Sequence, residues 1–326
     1  MSAETYIGGA FAANDSKAFR LPKGEISHFF DGLPKPIGFE TGADALAWIL
    51  LQEFSEAVRT VYFPLHYCEE TIERIRLKVP DLPLERYATI TEIPRKEVIV
   101  IWNHFNGHLP VPSALLDAHF TLIEDCVQSL SSLKKQVGKA SFTSLRKWLE
   151  EDLAPVFGPY SRPSAETLPS AYYTAKKAAE QQKEQWKKGL LKEENTFLQS
   201  FVLAEQSLQV ADIHFHACDL LQRYDWDRFI ALRNENATVL RGLIAPLGVE
   251  IVSQNKLFLM IRLENRDVVR KELAKQGIFA PIHWADSADK HQAKTLLSLP
   301  IDQRYDSDDM HRIASALAHG INVGSV

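Results

Sequence analysis

The 326-residue sequence lacks the features of a disulfide-stabilised or membrane-spanning protein. Its three cysteines, Cys68, Cys126 and Cys218, are widely spaced and odd in number, which argues against disulfides and predicts buried thiols in a reducing compartment. No apolar run is long enough to cross a bilayer. Residues 1–15 carry neither a basic leader nor a long apolar run, so we expect a cytoplasmic protein with no membrane partner.

Charge of one sign is also not in large excess. The 37 basic and 42 acidic residues give a net charge of -5, so no overall positive field would attract nucleic acid. Residues 171–195 are rich in lysine and glutamate with the two signs interleaved, which predicts two solvated helices. A partner-binding role for these charged helices is a non-enzymatic alternative.

Hydrophobic residues make up 45% of the sequence, and their pattern predicts an α/β fold. In the first half, short β-branched and aromatic runs alternate with amphipathic segments, as in parallel strands joined by crossover helices. The strands are expected at 60–64, 98–102, 120–123, 249–252, 257–263 and 278–283, the helices at 44–54, 215–243, 268–275 and around 310–317, and a loop at 150–169. We therefore expect a large domain over residues 1–210, with a mostly parallel central sheet flanked by helices, and a small C-terminal α/β domain over residues 211–326.

An acid at a strand end followed by a single lysine is the pattern of a cofactor site. Asp125 ends an apolar run, and Lys147 follows a loop that contains Gly138. Pyridoxal phosphate needs a lysine amine to hold its aldehyde and a carboxylate to keep its ring nitrogen protonated. Asp125 could instead cap a helix, and Lys147 could be a surface lysine beside Arg146.

Seven stretches of the chain carry a more specific signal through their shared order. They are residues 39–46, 63–68, 103–107, 123–129, 144–148, 277–278 with 283–284, and 299–305. Together they resemble the DegT/StrS-type sugar aminotransferases (DegT/DnrJ), which have the aspartate-aminotransferase-like fold type I of pyridoxal-phosphate enzymes. The resemblance implies that Lys147 forms the Schiff base, that Asp125 faces the pyridine nitrogen and that Gln128 lies by the ring hydroxyl.

The resemblance also implies the rest of the cofactor site. Gly42, Ala43 and Asp44 look like the phosphate-binding turn, where backbone amides at a helix start attract an anion, and Ser144 could donate a hydroxyl to the phosphate. His66 or Tyr67 would stack on the cofactor ring. Because side chains of a strand alternate between faces, at most one of the two can do so, and the spacing favours His66.

The resemblance implies transfer of an amino group from glutamate or glutamine to a nucleotide-linked keto sugar, by a homodimer with sites near its interface. The sequence departs from the family at three places. Phe142 replaces a serine five residues before the lysine, no paired-glycine turn follows Lys147, and residues 211–214 occupy the region of an Asn-Tyr-Arg motif that reaches the neighbouring subunit's site.

These departures leave two other readings open. One keeps the fold but changes the outcome: a sugar dehydratase, or a family member without turnover. The other is a metal-dependent hydrolase that uses His214 and His216, with His104 and His108 as further ligands.

Overall fold

The computed structural model describes residues 6–54, 60–105, 107–163, 169–208, 212–252, 257–283, 285 and 289–324. Asn106, Ala211 and Trp284, which the sequence analysis used, lie outside the described residues, as does the predicted domain boundary. In the described ranges no helix is both long and apolar enough to cross a membrane.

The chain forms the following strands: β1 Ile7–Gly8, β2 Ile37–Phe39, β3 Val61–Pro64, β4 Leu84–Tyr87, β5 Val98–Asn103, β6 Phe120–Asp125, β7 Ala140–Phe142, β8 Ala154–Phe157, β9 Phe215–His216, β10 Glu250–Ile251, β11 Phe258–Arg262, β12 Ile278–Phe279 and β13 Leu296–Pro300. The α-helices are α1 Gly42–Glu53, α2 Glu69–Lys78, α3 Ala171–Lys187, α4 Glu194–Gln206, α5 Trp226–Ile244, α6 Arg266–Lys275, α7 Lys290–Thr295 and α8 Ser307–Val323.

Eight strands form the large sheet in the order β4-β3-β5-β6-β7-β8-β2-β9. The pairings from β4 to β7 are parallel, and those that involve β8, β2 and β9 are antiparallel. The central strand β5 is a continuous apolar run that is buried on both faces, as expected when helices cover a parallel sheet. The register pairs Asn103 of β5 with Asp125 of β6, so both side chains reach the same carboxyl-terminal edge of the sheet.

A smaller sheet of antiparallel strands, in the order β10-β11-β13, forms the centre of a second core. Helices α5, α6 and α8 pack around it through buried residues such as Leu240, Val269 and Leu317. Strand β1 at the N-terminal end pairs with β12, and Ile7 joins this second core. The predicted division into residues 1–210 and 211–326 stays a prediction. Two strand pairings cross that boundary, since β1 pairs with β12 and β9 pairs with β2.

Several local predictions differ from the structure. The predicted helix over 215–243 begins only at Trp226, because Phe215 packs on Phe39 at 4.9 Å between ring centres and its segment pairs with β2. The predicted loop over 150–169 contains β8, and β13 had no counterpart in the prediction. Of the thiols predicted to be buried, Cys126 is buried, whereas Cys68 and Cys218 are partly exposed.

Candidate active site

A crevice of about 340 Å³ lies at the carboxyl-terminal edge of the large sheet. It is lined by Asn103 and Asp125, which are the last residues of β5 and β6, and by Lys147. This edge is where ligands bind in open α/β sheets, because side chains at strand ends point into the space between the flanking loops. The structure therefore brings the two residues of the predicted lysine and acid pair to one crevice.

Asp125 is held by two hydrogen bonds from its own neighbourhood. Its Oδ2 accepts a bond of 2.6 Å from the Tyr67 hydroxyl, and its Oδ1 accepts one of 2.9 Å from the backbone N–H of Val127. Burial raises the pKa of the Asp125 carboxyl, although both bonds and His104 act in the opposite direction. Burial also raises the pKa of Tyr67 well above its usual range, so the phenol remains the donor.

Lys147 ends a short 3₁₀ turn, Leu145–Lys147, that follows β7 and Ser144. Leu145 is fully buried and anchors the turn, while the Lys147 side chain faces the crevice. Burial, followed by the charge of Arg146, lowers the pKa of Lys147 to about 8. A lysine with this pKa is partly neutral near pH 7, as a nucleophilic amine must be.

The start of α1 forms another wall of the crevice. Thr41 caps the helix by accepting a hydrogen bond of 3.1 Å from the backbone N–H of Asp44, while Gly42 and Ala43 line the crevice. A Cβ on Gly42 would lie 3.5 Å from the Ser144 Cβ, which shows how closely the helix start approaches the lysine turn. These predicted residues are therefore brought together, with backbone amides and a hydroxyl available to an anion.

The side chain of Asp44, by contrast, turns away from the crevice. Its carboxylate accepts a hydrogen bond of 2.9 Å from the Thr41 hydroxyl and pairs with Lys78 at 2.8 Å. Burial raises the pKa of Asp44 even so, against the opposing effects of Lys78 and Thr41. Any contribution of Asp44 to cofactor binding would therefore come from its backbone.

Tyr67 and Gln128 line the crevice, whereas His66 does not. The His66 ring packs on Phe105 at 5.0 Å between ring centres, and its Nε2 is buried without a hydrogen-bond partner in the described residues. His66 and Tyr67 lie in the turn after β3 and not in a strand, so strand alternation does not decide between them, and only Tyr67 lines the crevice. The prediction that His66 stacks on the cofactor ring stays a prediction.

A second chamber of about 390 Å³ adjoins the crevice. Arg146, Lys147 and His283 line both cavities, so the lysine lies at their junction. The wall of the second chamber includes the N-terminal residues Gly8 to Phe11 and residues 279–281. Burial and the charge of Lys147 lower the pKa of His283 to about 3, so its imidazole, which bonds the Ser298 hydroxyl at 2.7 Å, is neutral.

Sequence reasoning missed several residues that line these cavities: Arg74, Asn103, Arg146, Glu205 and His283. Asn103 and His283 fall within the matched stretches, and Asn103 could have been found from its place at the end of a strand. Arg74 and Glu205 lie on the charged faces of helices α2 and α4, where composition resembles ordinary solvated surface. Their proximity arises only from tertiary packing.

The histidines of the metal-hydrolase alternative are used differently. His104 Nε2 bonds Glu124 Oε2 at 2.7 Å, and both side chains are fully buried. The ring of His108 stacks on His104 at 5.3 Å. Among the residues that the structure describes, no three His, Cys, Asp or Glu side chains form a group that could hold a metal ion.

Comparison with known proteins gives matches among solved structures. No protein-family model and no curated protein matches the chain. Spr1654 of Streptococcus pneumoniae, described as a sugar aminotransferase and solved in its PMP form, matches with a TM-score of 0.61 at 9% identity, covering 98% of this chain and 94% of its own.

Two further structures match over similar lengths. A DegT DnrJ EryC1 StrS aminotransferase of Brucella abortus matches with a TM-score of 0.57 at 14% identity, covering 97% of this chain and 91% of its own. The aminotransferase TlmJ of Streptoalloteichus hindustanus matches with a TM-score of 0.59 at 11% identity, covering 96% and 92%. At these identities the likeness shows the fold, and it confirms the predicted fold class: this chain has the fold of the type I pyridoxal-phosphate enzymes.

Proposed function

We propose that this protein is a pyridoxal-phosphate-dependent aminotransferase in which Lys147 binds the cofactor aldehyde and Asp125 faces its ring nitrogen. One observation carries the proposal: the two side chains line one crevice at the carboxyl-terminal sheet edge. The fold supports it as well, since Spr1654 has been solved in both PLP and PMP forms.

The residues present fit this cofactor chemically. Asp125 is a buried acid whose two hydrogen bonds come from neutral donors, so a pyridinium would supply the positive partner that stabilises its charge. The side-chain oxygen of Asn103, which is paired with Asp125 across the sheet, is buried without a hydrogen-bond partner in the described ranges. It is an acceptor for a polar group of a ligand in the crevice. Gln128 follows on the same wall.

When bound, the cofactor supplies an electron-withdrawing ring. Lys147 would provide the nucleophilic amine that holds the cofactor aldehyde, and its free amine would be the base that moves a proton from the α-carbon of the amino donor to the cofactor. Its pKa of about 8 suits both tasks near neutral pH. Tyr67 and Val127 fix the Asp125 carboxylate, so that the negative charge stays opposite the ring nitrogen throughout.

The choice of substrates rests on the structures that match this fold and not on a contact within this chain. We propose glutamate or glutamine as amino donor and a keto sugar, nucleotide-linked, as acceptor. Two observations support this: Spr1654 is described as a sugar aminotransferase, and DesI, matched with a TM-score of 0.57, was solved in the presence of its TDP-sugar product. The second chamber beside Lys147 offers room for a large acceptor. We propose a cytoplasmic homodimer.

The test begins with the purified protein and added pyridoxal phosphate. We expect a visible absorbance band, which borohydride should bleach while leaving the reduced cofactor on a peptide that contains Lys147, as read by mass spectrometry. Added glutamate should then convert the band to that of the pyridoxamine form. A preparation that forms the Lys147 adduct but is not converted by any amino donor would favour the dehydratase or the non-catalytic alternative.

The substitution Asp125→Asn separates the role of Asp125 beside the ring nitrogen from the role of Lys147 in binding the aldehyde. It keeps the size of the side chain but removes the charge, so we expect the adduct at Lys147 to form while the half-reaction with glutamate slows by about 100-fold or more. The matched control is Asp117→Asn, because the Asp117 side chain is 41% exposed and lines neither cavity, and its rate should equal that of the wild type. Equal rates in the wild type and Asp125→Asn would remove Asp125 from the proposed mechanism.

A further inference from the structure

Two arginine side chains enter the crevice with hydrogen-bond donors to spare. Arg74 of α2 uses only Nη2, which donates to Glu70 and, at 3.2 Å, to Glu205. Arg146 uses only Nη1, which donates to the Tyr172 hydroxyl at 2.9 Å and to Glu205 at 3.2 Å. In the part of the chain that the structure describes, Nε and the second terminal nitrogen of each guanidinium have no hydrogen-bond partner.

Both guanidiniums are largely withdrawn from water. The Arg74 side chain is 10% exposed and that of Arg146 is 17% exposed, whereas their partners Glu70 and Glu205 are 62% and 42% exposed. The unused nitrogens of the two arginines are not among the buried side-chain atoms that lack a partner in the described residues, so these donors are open to the crevice that both arginines line. The Glu205 carboxylate bridges the two arginines with contacts of 3.2 Å, which are longer than a strong charge-assisted bond, whereas Glu70 makes a short contact with Arg74. An anion in the crevice could accept hydrogen bonds from these donors.

The position of the arginines indicates which anion. They line the same crevice as Gly42 and Ala43 at the start of α1, and as Ser144. A helix start, a hydroxyl and planar guanidinium groups are the donors that bind phosphate oxygens. A phosphate ester carries a charge of about -1.5 to -2 at neutral pH, which two guanidiniums match.

We propose that Arg74 and Arg146 bind the phosphate group of the cofactor, together with Ser144 and the start of α1, so that one chain supplies the cations of the phosphate site. This inference rests on the proposed function. The arginines would also compensate for Phe142, a buried residue that stands where the resembling family has a serine and that offers no hydrogen-bond donor. The residues that bind the phosphate would then be ones that the sequence pattern does not identify.

The test compares two aldehydes that differ only in the phosphate group. Dissociation constants for pyridoxal phosphate and for pyridoxal are measured by absorbance titration on the wild type, Arg74→Gln and Arg146→Gln. We expect each variant to weaken pyridoxal phosphate by about 10- to 100-fold relative to pyridoxal, because each removes charge-assisted hydrogen bonds to phosphate alone. Arg270→Gln is the matched control, since Arg270 lines only the second chamber, and its ratio should equal that of the wild type.

The ratio of the two affinities keeps the result separate from folding and from the chemistry of Lys147. A variant that loses affinity for both aldehydes equally would show that the arginine is structural, and a variant that binds both aldehydes as the wild type does would place the phosphate elsewhere; either result overturns the proposal. Arg74→Lys and Arg146→Lys keep the positive charge but lose the planar guanidinium group with its paired donors, so they should give intermediate ratios.

A second measurement does not depend on the proposed function. Inorganic phosphate is titrated calorimetrically into the wild-type chain and into both glutamine variants. Binding to the wild type that each substitution weakens by about 10-fold or more supports the site, even if neither aldehyde reacts with Lys147 and the proposed function fails. Equal binding to all three proteins, or no binding to the wild type, overturns the phosphate site.

Discussion

The pKa of Lys147 gives a prediction that can be measured as a rate. An ordinary lysine, with a pKa near 10.4, is about 0.04% neutral at pH 7, whereas one with a pKa of about 8 is about 9% neutral, roughly 200-fold more. Only the neutral amine attacks an aldehyde. The rate of condensation with pyridoxal should therefore rise about tenfold per pH unit below pH 8 and level off above it.

The assay is a stopped-flow measurement of adduct absorbance from pH 6 to pH 10. The same reaction with a simple alkylamine corrects for titration of pyridoxal itself, and Lys147→Ala gives the background from other lysines. Because the charge of Arg146 is the second cause of the lowered pKa, Arg146→Gln should move the break in the profile to higher pH. A wild-type rate that keeps climbing beyond pH 9 without a break would refute the reasoning.

Two further predictions concern stability. Tyr67→Phe removes the 2.6 Å bond to Asp125 and should lower the free energy of unfolding by about 1–3 kcal/mol in urea denaturation, and no change would show that the bond contributes nothing. Gly8→Ala places a Cβ 2.2 Å from the carbonyl oxygen of Phe279 at a φ of +91°, whereas Gly24→Ala has a similar φ of +98° and open space around it. The first should therefore lower the melting temperature well beyond the second, and equal losses would show that the clash relaxes without cost.

The features that sequence could predict are those that depend on local pattern. Apolar runs of strand length identified β3, β5 and β6 to within two residues, because burial on both faces of a parallel sheet demands continuous hydrophobicity. Asp125 and Lys147 could be selected because their types and order match a known chemical need. Strand β8 was missed because Pro155 is atypical of a strand, although here its carbonyl accepts from Thr143.

The features that sequence could not predict depend on which charged side chains meet. Interleaved signs over residues 171–195 predicted solvated helices, but Lys176 is buried, and it pairs with Asp152 at 2.7 Å and Glu180 at 3.0 Å. Both carboxylates are almost completely buried as well. A lysine on a charged helix gives no sign of such a network, since its partner Asp152 lies in a segment predicted to be a loop.

Contacts between distant side chains also hold the turn that contains Lys147. The sequence lacks the paired glycines that usually follow the lysine in the aminotransferase family that it resembles. The carbonyl of Trp148, the residue after Lys147, accepts bonds of 3.2 Å from Arg233 and 2.8 Å from Gln303. Arg233 is fully buried, donates to the Gln303 side chain at 2.9 Å and lies over the Trp148 ring at 4.7 Å. Because Arg233 comes from α5 and Gln303 follows β13, the turn is tied to the second core. The lysine is therefore fixed relative to both chambers by contacts from distant parts of the chain.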